Sequence, residues 1–272
     1  MQRIELNEQL VFPRCILDLT AYLAEEPTTA QLLMHFEESL DQGYNTFLLP
    51  TNPMALASID DVLLQRPYLK NQLHFLCVIT PQQNEQQWQT NYQALMETVE
   101  GLQQQLDIQL ITIGLIDGRD ALFDPVATAQ AIEDLRQKQC VASFGVREMT
   151  SEQLAILQLY CEDGVNFWYQ KFSHQLLNHF RAQAPFFRHQ MFPMLHLPNS
   201  LENAVRGNLD IIAAEYGVSV QAIVLAWLLF HPLTIMPVFD SYFGKTWQQA
   251  YREQQQFELT VDDWYEINQR LS

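Results

Sequence analysis

Charged and amide side chains stand at or just beyond the ends of several apolar runs that we predict to be strands. Five of them are Asp18, Asp117, Arg147, Gln170 and Asp240. If the strands are parallel and close into a barrel, these side chains surround one mouth at the carboxyl ends of the strands. Paired carboxylates there could serve as acid and base in a hydrolysis, or hold a divalent cation. They could also pair with neighbouring cations, as Asp117 with Arg147, and do no chemistry.

Other polar residues are expected at the same mouth, and none of them forms a recognisable metal motif. They are Thr20, Arg119, Asp120, Glu148, Lys171 and His196. Four histidines crowd one part of the chain: His174, His179, His189 and His196. Their spacings match no zinc pattern, so we expect no metal site. The four cysteines lie far apart in the sequence and are expected to be free thiols, mostly buried.

The elements that must position these residues are predicted from hydrophobic patterning. Short runs rich in Val, Ile, Phe and Leu alternate with stretches of helical periodicity, which is typical of repeated β-α units on a parallel sheet. The eight predicted strands are 15–19, 45–49, 73–79, 108–116, 141–146, 165–169, 191–197 and 235–239. Several are apolar at successive residues, as expected for strands that are covered on both faces.

Two further elements flank the eight units. Residues 3–6 and 9–12 are predicted to form a β-hairpin under the barrel, and Thr260 can cap an extra carboxyl-terminal helix. Together these features predict an α/β fold, a single (β/α)8 TIM barrel that spans residues 1–272. A doubly wound sheet would need a Gly-x-Gly-x-x-Gly turn after its first strand, and the sequence has none.

The charge balance limits the partners. The chain has 32 acidic and 15 basic side chains, for a formal charge of −17. Such a surface repels phosphate backbones and anionic membranes, so we expect neither nucleic-acid nor membrane partners. The amino-terminal residues lack the apolar core of a secretory signal, and the longest apolar stretch, residues 222–239, is interrupted by His231 and two prolines. A cytoplasmic location is therefore expected.

Four parts of the chain, in the same order, resemble aldo-keto reductases. They are LDQGYNTF at 40–47, residues 131–146 with LRQK and SFGV, LDIIAAEYGVS at 209–219 followed by LAWLLFHPLTIMP at 225–237, and FELTVDDWYEI at 257–267. The last is similar to the ending of a bacterial branch of these oxidoreductases. The resemblance extends over nearly the whole chain and implies a barrel that reduces carbonyls with NADPH.

The catalytic positions that the resemblance implies do not carry the family's residues. That family uses a tyrosine as proton donor, tuned by a lysine, with an aspartate and a histidine. A phenol with a pKa of about 10 needs a buried cation beside it to donate near neutral pH. In this sequence Leu48 falls at the aspartate position, Pro53 at the tyrosine, Val78 at the lysine and Asp117 at the histidine. We therefore expect the family's reductase mechanism to be absent.

The cofactor positions that the resemblance implies are also altered. Gln170, Ser241 and Lys245 fall where the family holds its dinucleotide. Asp240, however, falls where the cofactor's phosphates should approach, which costs on the order of a few kcal/mol if the charges are poorly screened. We expect no cofactor, with NADPH as the alternative because Lys245 supplies a cation.

Three functions follow from these observations. The first is an aldo-keto-reductase-like protein that is inactive as a reductase and binds a small molecule or a protein partner. The second is an NADPH-dependent oxidoreductase that reduces carbonyls with non-standard residues. The third is a repurposed TIM-barrel enzyme that uses the acidic rim, whose carboxylates are Asp18, Asp117, Asp120, Glu148 and Asp240.

Overall fold

The protein is a closed barrel of eight parallel strands, as the sequence predicts. The structure, a computed structural model, describes residues 3–7, 10–84, 87–88, 90–161, 164–172, 191–241 and 245–271. The described strands are β1 (Arg3–Asn7), β2 (Leu10–Pro13), β3 (Ile16–Asp18), β4 (Thr46–Leu48), β5 (His74–Val78), β6 (Gln82–Asn84), β7 (Gln87–Trp88), β8 (Ile111–Asp117), β9 (Val141–Arg147), β10 (Phe167–Lys171), β11 (Phe192–His196) and β12 (Met236–Asp240). Strands β3, β4, β5, β8, β9, β10, β11 and β12 pair in that order, and β12 closes on β3.

Described helices lie between consecutive barrel strands except between β10 and β11, where residues 173–190 lie outside the described ranges. The described α-helices are α1 (Thr20–Ala24), α2 (Thr29–Asp41), α3 (Pro53–Gln65), α4 (Tyr92–Leu106), α5 (Pro125–Gln137), α6 (Ser151–Gln158), α7 (Asn203–Tyr216), α8 (Val220–Phe230), α9 (Lys245–Gln254) and α10 (Val261–Leu271). A 3-10 helix, Pro67–Asn71, follows α3. In the described ranges no single helix is long and apolar enough to cross a membrane. The segments Val205–Tyr216 and Val220–Phe230 meet the length and hydropathy required only when they are taken together, and a 90° bend separates them.

Local signals in the sequence set several helix ends. The Asp124 carboxylate accepts hydrogen bonds from the backbone N–H groups of Val126 and Ala127 at the start of α5. Thr150 and Gln153 form a reciprocal capping box on α6. Gly217 ends α7 with a left-handed φ of 67°, a conformation that glycine adopts without strain. These caps supply partners to backbone groups that have none within the helix.

The amino-terminal hairpin closes the bottom of the barrel. Strands β1 and β2 pair antiparallel, as predicted. Phe12 is 1% exposed and packs inside the barrel, with its ring centroid 6.0 Å from that of Phe167 and 6.3 Å from that of His74. A second antiparallel pair, β6 with β7, lies in the connection between β5 and α4. It was not predicted, because its glutamine-rich sequence has no alternating apolar pattern.

The barrel strands are buried on both faces, which explains their continuous apolar runs. All seven residues of β8 are buried. Inside the barrel, Ile16, Leu48, Leu76 and Ile113 belong to one apolar cluster, while the outward side chains pack with the helices in a second cluster. Because β-strand side chains alternate between faces, each strand contributes to both clusters.

Gly145 in β9 tests how tightly the barrel interior is packed. A Cβ atom at this position would lie 2.7 Å from Leu115 Cδ2 and 2.8 Å from Phe167 Cβ. We expect Gly145→Ala to lower the free energy of unfolding by about 1–3 kcal/mol through overpacking. The matched control is Gly101→Ala in α4, where the added methyl has no neighbour within 4 Å, and which should stabilise by about 0.5–1 kcal/mol. Urea unfolding measures both; equal effects of the two variants would contradict the packing.

Candidate ligand site at the barrel mouth

The register of the parallel strands decides which side chains meet at the mouth. Asp240 pairs with Asp18 across β12 and β3. Asp117 pairs with Arg147 across β8 and β9, and Arg147 pairs with Tyr169 across β9 and β10. Residues that pair in register point to the same face of a sheet. These five side chains therefore line the carboxyl-terminal end of the barrel, and four of them were predicted there.

Asp117 is held by two arginines. Its side chain is 1% exposed. Arg119 donates to both carboxylate oxygens, from Nε at 2.8 Å and from Nη2 at 2.5 Å, while Arg147 Nε lies 3.1 Å from Oδ2. The hydrogen bond to Asp117 raises the pKa of Arg119. The predicted pairing of Asp117 with Arg147 is confirmed, and the carboxylate has its charge balanced by two guanidinium groups.

Tyr169 is a mouth residue that the sequence reasoning missed. It is 5% exposed and belongs to the cluster inside the barrel. Its ring lies 5.8 Å from Arg147 Cζ and its centroid 6.0 Å from that of His196. Burial, and next the nearby Asp18, raise the pKa of the phenol. The run Phe167-Trp168-Tyr169 is aromatic throughout, so no alternation shows which of its rings points inward.

His196 lies beside the acidic side of the mouth. Its Nε2 is 3.6 Å from Asp18 Oδ2, which is beyond hydrogen-bond distance, and Asp18 Oδ1 accepts a hydrogen bond from the Thr20 N–H at 2.8 Å. Burial lowers the pKa of His196, although Asp18 and Asp240 act in the opposite direction. Burial thus favours the neutral form of this imidazole.

The positions at which the family resemblance implies catalytic residues are apolar or structural here. Leu48 and Val78, at the ends of β4 and β5, belong to the apolar cluster inside the barrel. Pro53 is the first residue of α3, a position where its missing N–H costs nothing. Asn52 caps the same helix by accepting a hydrogen bond from the Met54 N–H at 2.9 Å. One side of the mouth is thus apolar and the other is charged.

The three predicted cofactor residues do not come together in one described cavity. Gln170 faces a cavity of about 310 Å³ that is also lined by Glu148 and Thr150. Ser241 lines a different groove of about 300 Å³ between α2 and α9, and its buried hydroxyl has no hydrogen-bond partner among the described residues. Lys245 begins α9, but its side chain lies outside the described part of the chain.

The predicted absence of a metal site stays a prediction. Among the residues whose placement is described, no group of three or more His, Cys, Asp and Glu side chains could hold a metal ion. Three of the four clustered histidines, His174, His179 and His189, fall outside those residues. The cysteines are free thiols, three of them buried.

Comparison with known proteins supports the fold. No family model matches the chain. The chain is 26% identical, over 301 aligned positions that cover 98% of it and 97% of the relative, to an uncharacterised oxidoreductase, YcsN, of Bacillus subtilis (strain 168). Among solved structures it is similar to the glycerol dehydrogenase AKR11B4 from Gluconobacter oxydans, with 14% identity, a TM-score of 0.77, and coverage of 99% of this chain and 94% of the other.

Two further solved structures give the same result. The thermostable aldo-keto reductase Tm1743, solved with the inhibitor epalrestat, has 13% identity, a TM-score of 0.79, and coverage of 99% of this chain and 100% of the other. A Gox0644 variant in complex with NADPH has 16% identity, a TM-score of 0.70, and coverage of 99% and 93%. The chain therefore has the (β/α)8 barrel fold of the aldo-keto reductases, as its sequence resemblance implied.

The ion pairs of Asp117 can be tested by stability. Asp117→Asn removes the carboxylate charge shared by Arg119 and Arg147, and we expect a loss of about 2–3 kcal/mol, below the 3–5 kcal/mol for a fully buried pair because both arginines are partly exposed. Asp107→Asn is the control, because Asp107 pairs with Lys70 at 2.5 Å but is 74% exposed, and it should cost less than about 1 kcal/mol. Equal losses in urea unfolding would contradict the buried pairing.

The electrostatic setting of His196 can be tested by titration. We expect the pKa of its imidazole, followed by NMR, to lie below its ordinary value of about 6.5. Asp18→Asn should lower it further, because Asp18 favours the protonated form. Since the unfolded chain takes up this proton first, protonation destabilises the fold as the pH falls through about 6.5. A value above 6.5 would show that burial does not dominate, and a rise in Asp18→Asn would show that Asp18 does not favour the protonated form.

Proposed function

We propose that this protein binds a small molecule at the mouth of its barrel and does not carry out carbonyl reduction by the family's tyrosine-lysine mechanism. The observation that supports this most is the set of residues at the implied catalytic positions. Leu48 and Val78 pack into the apolar cluster of the barrel, and Pro53 begins a helix. None of these three side chains can donate a proton, and none carries a charge that could shift the pKa of a neighbouring donor. Asp117, at the fourth position, is held by two arginines.

The proposal does not include NADPH as a bound cofactor. A solved relative of the fold does bind NADPH, which makes dinucleotide binding the first property to test. Against it stand Asp240 at the end of β12, 8% exposed, and the separation of Gln170 and Ser241 into different cavities. A carboxylate at the approach of the phosphates weakens binding by Coulomb repulsion. The Asp240 carboxylate is the main argument against a bound dinucleotide.

NADPH-dependent reduction with non-standard residues is the second candidate, and Tyr169 is the observation that favours it. This phenol points into the barrel near Arg147 and His196, so a proton donor is present although not where the family places it. Its raised pKa argues against the role, because a donor is most effective when its pKa is close to the working pH. The barrel fold and the description of the Bacillus subtilis relative as an oxidoreductase are consistent with this second candidate.

The remaining expectations stay proposals. The acidic-rim enzyme has less support, because Asp117, one of its carboxylates, is neutralised by Arg119 and Arg147. The formal charge of −17 supports the absence of nucleic-acid and membrane partners and is consistent with a cytoplasmic protein. A protein partner is the alternative to a small molecule; binding of a small molecule at the mouth, blocked by mouth substitutions, would favour the proposal over it.

The deciding experiment is NADPH binding and turnover in the wild type and in Tyr169→Phe. We expect no saturable NADPH binding by tryptophan fluorescence or thermal shift at physiological salt, and no NADPH oxidation with a panel of aldehydes and ketones. Tyr169→Phe should then leave both readouts unchanged, while its folding is checked by circular dichroism. NADPH oxidation in the wild type that is lost in Tyr169→Phe would refute the proposal and establish the second candidate.

A further inference from the structure

We infer that the groove between α2 and α9 is a second ligand site, outside the barrel, and that it binds a small neutral polyol. The groove is bounded by the two helices and by Ser241, the residue that follows β12. None of the five inward side chains of the barrel mouth lines it. The groove is therefore a site distinct from that of the proposed function.

The floor of the groove is polar although it is buried. Ser39 of α2, Ser241 and Gln248 of α9 are 3%, 4% and 8% exposed. The Ser241 Oγ atom is buried and has no hydrogen-bond partner among the described residues. Buried hydroxyl groups ordinarily have a partner, and one without it is costly. A ligand hydroxyl, which can both donate and accept, would be that partner once Ser241 turns to a χ1 rotamer that faces the groove.

The rim of the groove carries one negative and one positive charge on opposite helices. Glu38 of α2 and Arg252 of α9 are both exposed, and within the described ranges neither belongs to an ion pair. A bound anion would be repelled by Glu38, and a bound cation would be repelled by Arg252. Hydroxyl groups of a neutral ligand, in contrast, can donate to the carboxylate and accept from the guanidinium.

The amides of the groove are suited to the same kind of ligand. Gln42 and Gln249 stand on the rim, and Gln248 lies on the floor. A primary amide offers two donors and one acceptor oxygen, which match the neighbouring hydroxyl groups of a polyol. A charged group on the floor would lose its hydration without meeting a buried counter-charge, because the three floor residues are uncharged. A neutral polyol therefore fits better than a molecule that carries both charges.

The groove has a suitable size, and its walls are fixed. Its volume is about 300 Å³, the lower limit of the range of about 300–1,000 Å³ that is usual for small-molecule sites. In α9, Trp247 is 1% exposed and its Nε1 donates to the Pro198 carbonyl oxygen at 2.9 Å. In α2, the ring of His35, which lines the groove, is stacked on Tyr22 with centroids 4.4 Å apart. Walls that are fixed beforehand reduce the entropy cost of binding.

The test uses polyols that differ in charge but not in carbon skeleton. Isothermal titration of the full chain compares D-sorbitol with D-gluconate, D-glucamine and D-glucosaminate, which carry a negative charge, a positive charge and both charges. We expect D-sorbitol to bind about tenfold more tightly than each of these analogues. No member of the series has an aldehyde or ketone group, so carbonyl reduction cannot produce the signal. Equal binding by a charged analogue, or no binding of D-sorbitol, overturns the inference.

Two glutamine substitutions locate the binding. Gln249→Leu removes an exposed amide from the rim and should weaken D-sorbitol binding by about threefold to tenfold, the effect of losing one hydrogen bond. Gln130→Leu is the matched control, because Gln130 is exposed in α5 and does not line the groove. The control should leave the affinity unchanged. If the two variants behave alike, the polyol binds elsewhere and the inference is wrong.

Ser241→Ala distinguishes a ligand site from a structural role. It should weaken D-sorbitol binding by about threefold or more, yet it should not lower the melting temperature of the ligand-free protein, because it removes a buried hydroxyl without a described partner. A lower melting temperature would show that the fold itself needs this hydroxyl and would overturn the inference. Displacement of bound D-sorbitol by NADPH would also overturn it, whereas NADPH oxidation without displacement would refute only the proposed function.

Discussion

The register of the eight parallel strands is the constraint on which the site depends. In a closed barrel the register with the neighbouring strand fixes which side chains point inward at the same level. Asp117 therefore lies beside Arg147, and Arg147 lies beside Tyr169. A shift of one residue in any strand would turn its inward side chains toward the helices. Gly145, which has no room for a Cβ between Leu115 and Phe167, shows how closely this register is packed. Barrel closure therefore places the mouth side chains that stand on the described strands.

The architecture was predictable because its signals are local. Eight apolar runs separated by helical periodicity gave every barrel strand to within three residues, and caps such as Thr150 with Gln153 were visible in the sequence. The hairpin of β6 and β7 was not, since its glutamines carry no apolar pattern. Gln170 was placed at the mouth with the rest and lines a cavity with Glu148, Thr150 and Lys171, but the face to which it points could not be read from the sequence, because the aromatic residues 167–169 before it show no alternation. Tyr169 was missed for the same reason.

The chemistry of the mouth follows from which charges are balanced inside it. Asp117 is neutralised by its own neighbours, so it contributes structure. Arg147 Nε is buried and has no hydrogen-bond partner among the described residues, although it lies 3.1 Å from Asp117 Oδ2. A buried donor without a hydrogen-bond partner is costly, which makes the mouth the place to test for a bound ligand. The barrel resembles the aldo-keto reductases in fold.

The most direct measurement is a crystal structure of the protein grown with a large excess of NADPH. We predict that the barrel mouth contains no nicotinamide ring. Asp117 should stay paired with Arg119 and Arg147, while Leu48 and Val78 should stay packed inside the barrel. A nicotinamide ring seated in the mouth, with the Tyr169 hydroxyl directed at the space where a carbonyl would be reduced, would contradict it.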